Sequence, residues 1–335
     1  MTLQDFAADE TLRATIRRLQ QQLAQAKQRN EELAEVTIQA CKDAVLALGP
    51  LKPVHAPTHR DRRQGEGEVA LWDMGDWQGA KRTPSYNTQV MIQRVEQFWS
   101  IAERFTNILR ADHPIRSATL IFGGDMIEGL FQFPTQPFEI DSTLFDQYVN
   151  VSELITRTVR QALSIYDRVT VVSEWGNHGR IGSKRDAVPR SDNFDRMCYE
   201  FARRLLQNEK RLTWPDCSED IQHLEIGNYR ALVVHGDEVG RMGYASRNTF
   251  INHCNRWKAG AHSWDFRDVY CHHYHQDAEE PMANGEGKIY WTGSTESDNR
   301  YANIMLASDA QPSQRLHFVH PVKGYVTSRH QVYLT

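Results

Sequence analysis

Five short apolar runs recur along this chain, and each leads into a polar residue that could bind a metal ion. The clearest is the run Leu-Ile-Phe at 120–122, which is followed by two glycines and Asp125. Such runs predict buried strands, and glycines allow the backbone to turn tightly where the strand ends. A glycine-flanked aspartate alone is common in turns, so the prediction depends on the recurrence. The runs lead into Asp76 and Gln78, Asp125, Asn177 and His178, His235, and His273 and His275.

The placement of these polar residues predicts a shared site. In open α/β sheets, binding sites form outside the carboxyl ends of the strands, so side chains that follow several strands can meet there. The candidate ligands are oxygens and imidazoles without thiolates, a set that suits Mn, Fe, Zn or Ni better than a soft metal. The sequence therefore predicts a metal centre at one edge of a sheet.

The order of the motifs resembles the signature of the calcineurin-like metallophosphoesterases, which is Asp-x-His, Gly-Asp, Gly-Asn-His, His and His-x-His. The resemblance covers approximately residues 69–301, and the Asp-Trp-Gln variant is most similar to the DNA-repair exonuclease branch and its phage-encoded relatives. It implies an α/β fold built as a four-layer α/β/β/α sandwich. The matching residues are Asp76-x-Gln78, Gly124-Asp125, Gly176-Asn177-His178, His235 and His273-x-His275.

The resemblance also implies two divalent metal ions bridged by Asp125, with Mn expected first and Zn, Fe or Ni as alternatives. His178 is implied as the catalytic residue that stabilises phosphoryl charge or protonates the leaving group. This chain departs from the family at Gln78, where histidine is usual, and at Gly179, where an acidic partner for His178 is common. The implied ligands are Asp76, Gln78, Asp125 and His275 for one ion, and Asp125, Asn177, His235 and His273 for the other.

The expected function is hydrolysis of phosphodiester bonds, with DNA as the substrate. A phosphatase acting on a small nucleotide or a protein is one alternative, and a non-catalytic nucleic-acid-binding or scaffold subunit is another. Whether an ATPase partner exists is left open. Basic residues after His178 could contact a polyanion, and nearby aromatic residues could either stack on bases or lie in the core. The basic candidates are Arg180, Lys184 and Arg185, and the aromatic ones are Trp77, Trp175 and Tyr274.

The N-terminal 50 residues have a different pattern. Residues 11–48 predict one long helix, and Leu12, Ile16, Leu19, Leu23, Ala26, Asn30 and Leu33 follow a heptad repeat. Asparagine at a core position favours a two-stranded parallel coiled coil, so we expect a homodimer; the alternative is a helix that packs on its own domain. Residues 51–68 are rich in proline, glycine and charge and predict a linker or arm. Residues 69–335 would form the catalytic domain.

Further helices are predicted at 87–109, 144–166 and 192–206, with later strands at 222–226 and 288–292 and a hairpin at 225–229. Strands that alternate with helices predict a mostly parallel sheet. The net charge of −4 argues against a generally basic surface. The mean hydropathy of −0.61 and the lack of a long apolar run predict no membrane span. Five scattered cysteines without a C-x-x-C pair predict a reduced, cytoplasmic protein.

Overall fold

The computed structural model describes residues 3–58, 63, 67–133, 135–182, 189–239, 246–283, 285–299 and 311–335. In the first helix, side chains are described at 18, 21, 22, 25, 28, 29 and from 32 onward. The helices are α1 Leu3–Leu48, α2 Thr88–Leu109, α3 Leu144–Ile165, α4 Phe194–Leu205 and α5 Arg247–Arg256, with short turns at Gln136–Phe138 and Trp257–Ala261. The strands are β1 Glu68–Met74, β2 Ile115–Phe122, β3 Arg168–Ser173, β4 Leu212–Thr213, β5 Gln222–Ile226, β6 Tyr229–Val234, β7 Asp268–Cys271, β8 Ala278–Pro281, β9 Lys288–Trp291, β10 Ser313–His320 and β11 Tyr325–Tyr333.

The strands form two sheets with parallel centres. The first has the order β11-β10-β1-β2-β3-β4, and the second has the order β5-β6-β7-β9-β8. Strands β1 to β4 run parallel, as do β6, β7 and β9, whereas β10, β11, β5 and β8 pair antiparallel. The predicted mixed α/β fold with a mostly parallel sheet is therefore confirmed.

Three separate apolar cores show that the sheets and helices form four layers. Along β1, Trp72 packs with α2, α3 and α4, whereas Leu71 points the other way, into the core between the sheets. Along β6, Val233 lies in that same inter-sheet core and Leu232 packs with Phe250 of α5. Because neighbouring side chains on a strand face opposite ways, each sheet has apolar residues on both faces. This confirms the predicted α/β/β/α sandwich.

The predicted helices and hairpin are present with small shifts at their ends. Helix α2 begins after Asn87, whose side-chain Oδ1 accepts a hydrogen bond from the Val90 backbone N–H at 3.0 Å. Helix α3 begins after Thr143, whose hydroxyl accepts from Asp146 N. In the hairpin between β5 and β6, Gly227 takes a φ of +60°, which glycine adopts readily. Local signals at element ends therefore located these boundaries well.

Strands β10 and β11 were not predicted, although β10 pairs directly with β1. Every residue of β10 is buried, including Arg315 and His317. Arg315 forms ion pairs with Asp277 and Glu279, and His317 Nδ1 lies 2.9 Å from the Tyr270 hydroxyl. A buried strand that contains charged and polar residues lacks the apolar run by which the other central strands were recognised.

The C-terminal part of α1 packs on its own domain. Ala34, Thr37 and Cys41 are buried, and Cys41 belongs to the core formed with α3 and α4. Leu33, a predicted coiled-coil position, is 45% exposed. The other six seam positions, at 12, 16, 19, 23, 26 and 30, lie outside the side chains that the structure describes. The alternative of packing on the domain therefore holds for residues 34–41, and the coiled coil stays a prediction for the N-terminal part.

The segment that follows α1 is attached to the domain along its described length. The backbone N–H of Leu51 donates to the Leu205 carbonyl at 2.8 Å, and Val54 N–H donates to Glu209 Oε2 at 3.0 Å. Of the arginines in this stretch, Arg63 is described, and it donates to the Arg110 carbonyl at 2.5 Å. Among the described helices, none is long and apolar enough to cross a bilayer.

We expect the N-terminal part of α1 to form a dimer that two charges on its seam would disrupt. Leu19→Asp with Leu23→Asp should convert particles of twice the 38.7-kDa chain mass into monomers, as measured by light scattering. Gln21→Asp with Gln28→Asp adds the same charge at exposed positions and should leave the dimer intact. A wild-type protein that is monomeric, or a seam variant that stays dimeric, would exclude this helix as the dimerisation element.

Candidate metal centre

The seven predicted ligands form one connected set at the carboxyl ends of five strands. Two groups that could each hold an ion are present, and in each group the candidate ligand atoms lie within 4.8 Å of one another. One group contains Asp76, Asp125 and His275, and the other contains Asp125, His235 and His273. Asp125 therefore belongs to both. Asp76 and Gln78 follow β1, Asp125 follows β2, Asn177 follows β3, His235 follows β6, and His273 and His275 follow β7.

Asp125 uses its two carboxylate oxygens differently. Oδ1 accepts a hydrogen bond from the His178 backbone N–H at 2.7 Å. Oδ2 lies 3.1 Å from His235 Nε2 and 3.4 Å from Gln78 Nε2, so it faces both groups. Burial alone would raise the pKa of Asp125, but His235 and His178 outweigh it and lower that pKa overall. An ionised oxygen facing both groups is what a bridging ligand requires. Asn177 Oδ1 completes the second group, 3.3 Å from His235 Nε2.

Two of the histidines are oriented by a partner on the far side of the ring. His235 Nδ1 donates to the Gly123 carbonyl at 2.8 Å, and His275 Nδ1 lies 3.2 Å from Glu296 Oε2. The Nε2 atom of each ring is thereby directed into the cluster, where His275 Nε2 lies 3.6 Å from Asp76 Oδ1. A hydrogen bond to the far nitrogen is the usual way to fix the tautomer of a metal-binding histidine. Glu296 follows β9 and has no sequence motif that would have identified it.

Two buried oxygens in the cluster have no hydrogen-bond partner, which fits a metal site. They are Asp76 Oδ1 and Gln78 Oε1, and both residues are almost fully buried. The Gln78 amide nitrogen lies 3.2 Å from His275 Nε2. A half-turn of that amide exchanges its nitrogen for Oε1, which would then face the same ligands. Buried polar atoms without partners are unfavourable, and a bound cation would satisfy both. The residues present therefore fit two divalent ions.

The backbone of the site is held in an uncommon conformation. Among the described residues other than glycine, seven have a positive φ, and five of these are predicted ligands. Left-handed φ values are rare for residues with a Cβ, and they concentrate at functional sites where surrounding structure enforces them. The five ligands are Asp76 at 49°, Gln78 at 48°, Asp125 at 49°, His273 at 71° and His275 at 54°.

His178 lies beside the cluster and has an acidic partner that the sequence did not reveal. Its Nε2 is 3.9 Å from Asp125 Oδ2, and its Nδ1 is 3.2 Å from Glu128 Oε2. Lys81 Nζ lies 3.2 Å from the other Glu128 oxygen. Burial lowers the pKa of His178, but the Asp125 and Glu128 carboxylates more than offset this and raise it to about 9. Although Gly179 is not acidic, Glu128 supplies the orienting carboxylate from a different loop.

A second acid, Asp195 at the start of α4, joins two of the ligand loops. Its Oδ1 accepts from the Met126 backbone N–H at 3.0 Å, and its Oδ2 accepts from Gly176 N–H at 2.9 Å. Gly179 provides the room for this arrangement, because a Cβ there would lie 2.3 Å from Asn193 Oδ1. Asp195 thus fixes the loops that carry Asp125 and Asn177. Its distance along the sequence from both motifs left no signal.

The predicted substrate-binding arginine has a structural partner instead. Arg180 is 5% exposed, and its guanidinium donates to Asp237 Oδ2 at 2.8 Å. Arg190 donates to the other oxygen of Asp237 at 2.7 Å. This buried pairing leaves no exposed guanidinium at Arg180 to contact a phosphate, which corrects that prediction. Lys184 and Arg185 lie outside the described residues.

The three aromatic residues next to the ligand motifs belong to the core. Trp77 is 0% exposed, Trp175 is 1% exposed and Tyr274 is 6% exposed. Trp77 packs edge-to-face on Phe122, with ring centroids 5.8 Å apart. Of the two alternatives that the sequence allowed, packing in the core therefore applies, and none of the three offers a ring face to a substrate base.

We expect Gln78→His to tighten binding at the first ion, because imidazole is a better donor than an amide oxygen for Mn or Zn. The gain should be about tenfold or more, or ~1.4 kcal/mol, by titration calorimetry. Gln39→His, on the exposed surface of α1, controls for adding a histidine elsewhere. Unchanged or weaker affinity in Gln78→His would mean that this side chain does not bind the metal.

Sequence comparisons found no related protein: no protein-family model matches the chain, and no curated protein matches it significantly. Solved structures do match, and three show the range. Wild-type Vps29 in complex with Zn²⁺ from Entamoeba histolytica is 12% identical, covering 80% of this chain and 100% of that one, with a TM-score of 0.35. A predicted phosphoesterase from Streptococcus pneumoniae is 10% identical (80% and 99% covered, TM-score 0.33). The phosphoesterase YfcE from E. coli is 12% identical (79% and 100% covered, TM-score 0.34). At these values, conclusions about function depend on the site residues themselves.

Proposed function

We propose that this chain is a calcineurin-like metallophosphoesterase that hydrolyses phosphodiester bonds with two divalent metal ions, Mn foremost, and that DNA is its substrate. The observation that carries the proposal is the pair of ligand groups that share Asp125, with His178 beside them. Carboxylate, amide and imidazole ligands around a shared carboxylate are typical of two-metal hydrolytic sites.

Each residue of the cluster has a separate task in this reaction. Asp125 holds the two groups together, and Glu296 and Gly123 orient the imidazoles of His275 and His235. When bound, the ions would supply an activated water and neutralise charge on the phosphoryl oxygens. The ligands of the first ion would be Asp76, Gln78, Asp125 and His275, and those of the second would be Asp125, Asn177, His235 and His273.

His178 is the proposed proton donor to the leaving oxygen. A sugar alkoxide is a poor leaving group, so a protonated imidazole beside the scissile bond accelerates its departure. With a pKa raised to about 9, His178 carries that proton at neutral pH. Glu128 holds its Nδ1 side, which directs Nε2 toward the cluster and the substrate. Lys81 in turn balances the charge of Glu128.

A parallel assay tests the proposal. Manganese-loaded protein should cleave bis-p-nitrophenyl phosphate and linear DNA, and should act more slowly on p-nitrophenyl phosphate, a monoester. Asp125→Asn serves as the matched inactive control, because it keeps the side-chain shape and removes the charge. Faster hydrolysis of the monoester would favour the phosphatase alternative, and no hydrolysis of any substrate would favour the non-catalytic one.

A further inference from the structure

One aromatic ring near the metal centre is exposed, and it contacts His178. Phe133 lies in the loop after Glu128 and is 43% exposed. Its ring centroid is 5.3 Å from that of the His178 imidazole, with 60° between the ring planes. Single exposed apolar side chains are common on protein surfaces, so exposure alone means little. An exposed aromatic ring in contact with the proposed proton donor is more specific, because a substrate held at His178 must lie next to it.

The backbone that carries Phe133 is fixed by the side chain of Gln136, which is 1% exposed. Gln136 Oε1 accepts from the backbone N–H groups of Gln132 and Phe133, at 2.9 and 3.0 Å. Its Nε2 donates to the Glu128 carbonyl at 2.7 Å and lies 3.3 Å from His178 Nδ1. One buried amide thus positions Phe133 relative to both the imidazole and the carboxylate that orients it. A ring held in this way is suited to binding, since little order has to be gained when a ligand arrives.

We propose that Phe133 is the stacking platform for the nucleobase on the leaving-group side of the scissile phosphodiester. This inference rests on the proposed function, because it takes His178 as the donor to the leaving oxygen. The leaving nucleoside then lies on the His178 side of the phosphate, where Phe133 is exposed. Aromatic rings bind bases through their faces without needing a particular base sequence. The buried Trp77, Trp175 and Tyr274 cannot take this role.

The proposal has a consequence for substrate choice. A base within a duplex is stacked on its neighbours, so its face is not free for Phe133. The leaving nucleotide should therefore be unstacked, and single-stranded or frayed DNA should be cleaved in preference to a fully paired blunt end. The unstacking of a paired end would have to be offset by the new contact.

Three dinucleotides test the platform with full-length, manganese-loaded protein. The first carries both bases, the second lacks the base on the leaving side, and the third lacks the base on the other side. Wild-type kcat/KM should fall about tenfold for the second dinucleotide, mainly through KM, and much less for the third. Phe133→Ala should cleave the first and second at similar rates. Phe133→Leu, which keeps apolar packing beside His178 but has no aromatic face, should behave like Phe133→Ala.

Phe138→Ala is the matched control, because Phe138 lies five residues further along the chain and is 77% exposed. It should leave the discrimination unchanged. A uniform loss on all three dinucleotides in Phe133→Ala would mean that Phe133 only packs on His178, and this would overturn the proposal. So would a wild type that ignores the leaving-side base, or one that favours aryl over nucleoside leaving groups through Phe133. Absence of bis-p-nitrophenyl phosphate hydrolysis would instead reject the proposed function itself.

Discussion

Asp125→Ala should remove both metal ions at once and abolish turnover. Asp125 Oδ2 faces both ligand groups, so its loss takes the one shared negative charge from each. What remains around the second ion is neutral, since Asn177, His235 and His273 bind as uncharged ligands. Two divalent ions held about 3.5–4 Å apart repel strongly, and a bridging anion is the feature that allows them to stay close. We therefore expect cooperative loss, with neither ion retained.

Elemental analysis after manganese loading and dialysis measures this directly. Wild type should approach two ions per chain, and Asp125→Ala should fall close to zero. Asp125→Asn separates charge from packing, because its amide oxygen can still accept from the His178 N–H. Asp112→Ala removes a carboxylate that is 91% exposed and should change nothing. Retention of both ions in Asp125→Asn would show that Asp125 does not bridge them.

His178→Ala should keep both ions and lower turnover on DNA by about two to four orders of magnitude, the usual contribution of a general acid. The side chain lies beside the cluster, with Nε2 3.9 Å from Asp125 Oδ2. The loss should depend on the substrate. Bis-p-nitrophenyl phosphate releases an aryl oxide that needs little protonation, so its hydrolysis should fall far less than that of DNA.

Glu128→Gln provides the graded comparison for this prediction, because the amide preserves size and removes the charge that orients His178 Nδ1. It should show a smaller loss than His178→Ala with the same dependence on leaving group. Equal losses on both substrates in His178→Ala would argue against proton donation. A metal content that collapses in His178→Ala would make His178 a ligand.

The elements that were predicted from the sequence are those whose signals are local. Each of the five apolar runs marks its own strand, and the polar residue that follows is placed by the end of that strand. The pattern therefore predicts that Asp125 and His235 meet, although 110 positions separate them along the chain. The first three catalytic-domain helices were recognised for the same reason, from their own periodicity.

What the sequence could not reveal depends on contacts between distant segments. Asp195 reads as an ordinary acid in the first turn of a helix, and only the folded chain places it against Met126 and Gly176. Arg180 was predicted from charge alone, and charge does not tell whether Asp237 has already paired with it. Exposure was equally hidden, so the tryptophans next to the motifs were considered for stacking while Phe133 was overlooked.

The left-handed backbone at five of the ligands has a consequence for how this protein can evolve or be engineered. Each such residue costs of order 1–3 kcal/mol relative to a relaxed backbone, whereas glycine adopts the same φ freely. Glycine at Asp76 or Gln78 should therefore make the metal-free fold more heat-resistant while destroying the centre. Selection for thermal stability alone would erode this edge of the sheets first. Its retention, against a more stable alternative one substitution away for Asp76, is a trade-off between stability and activity.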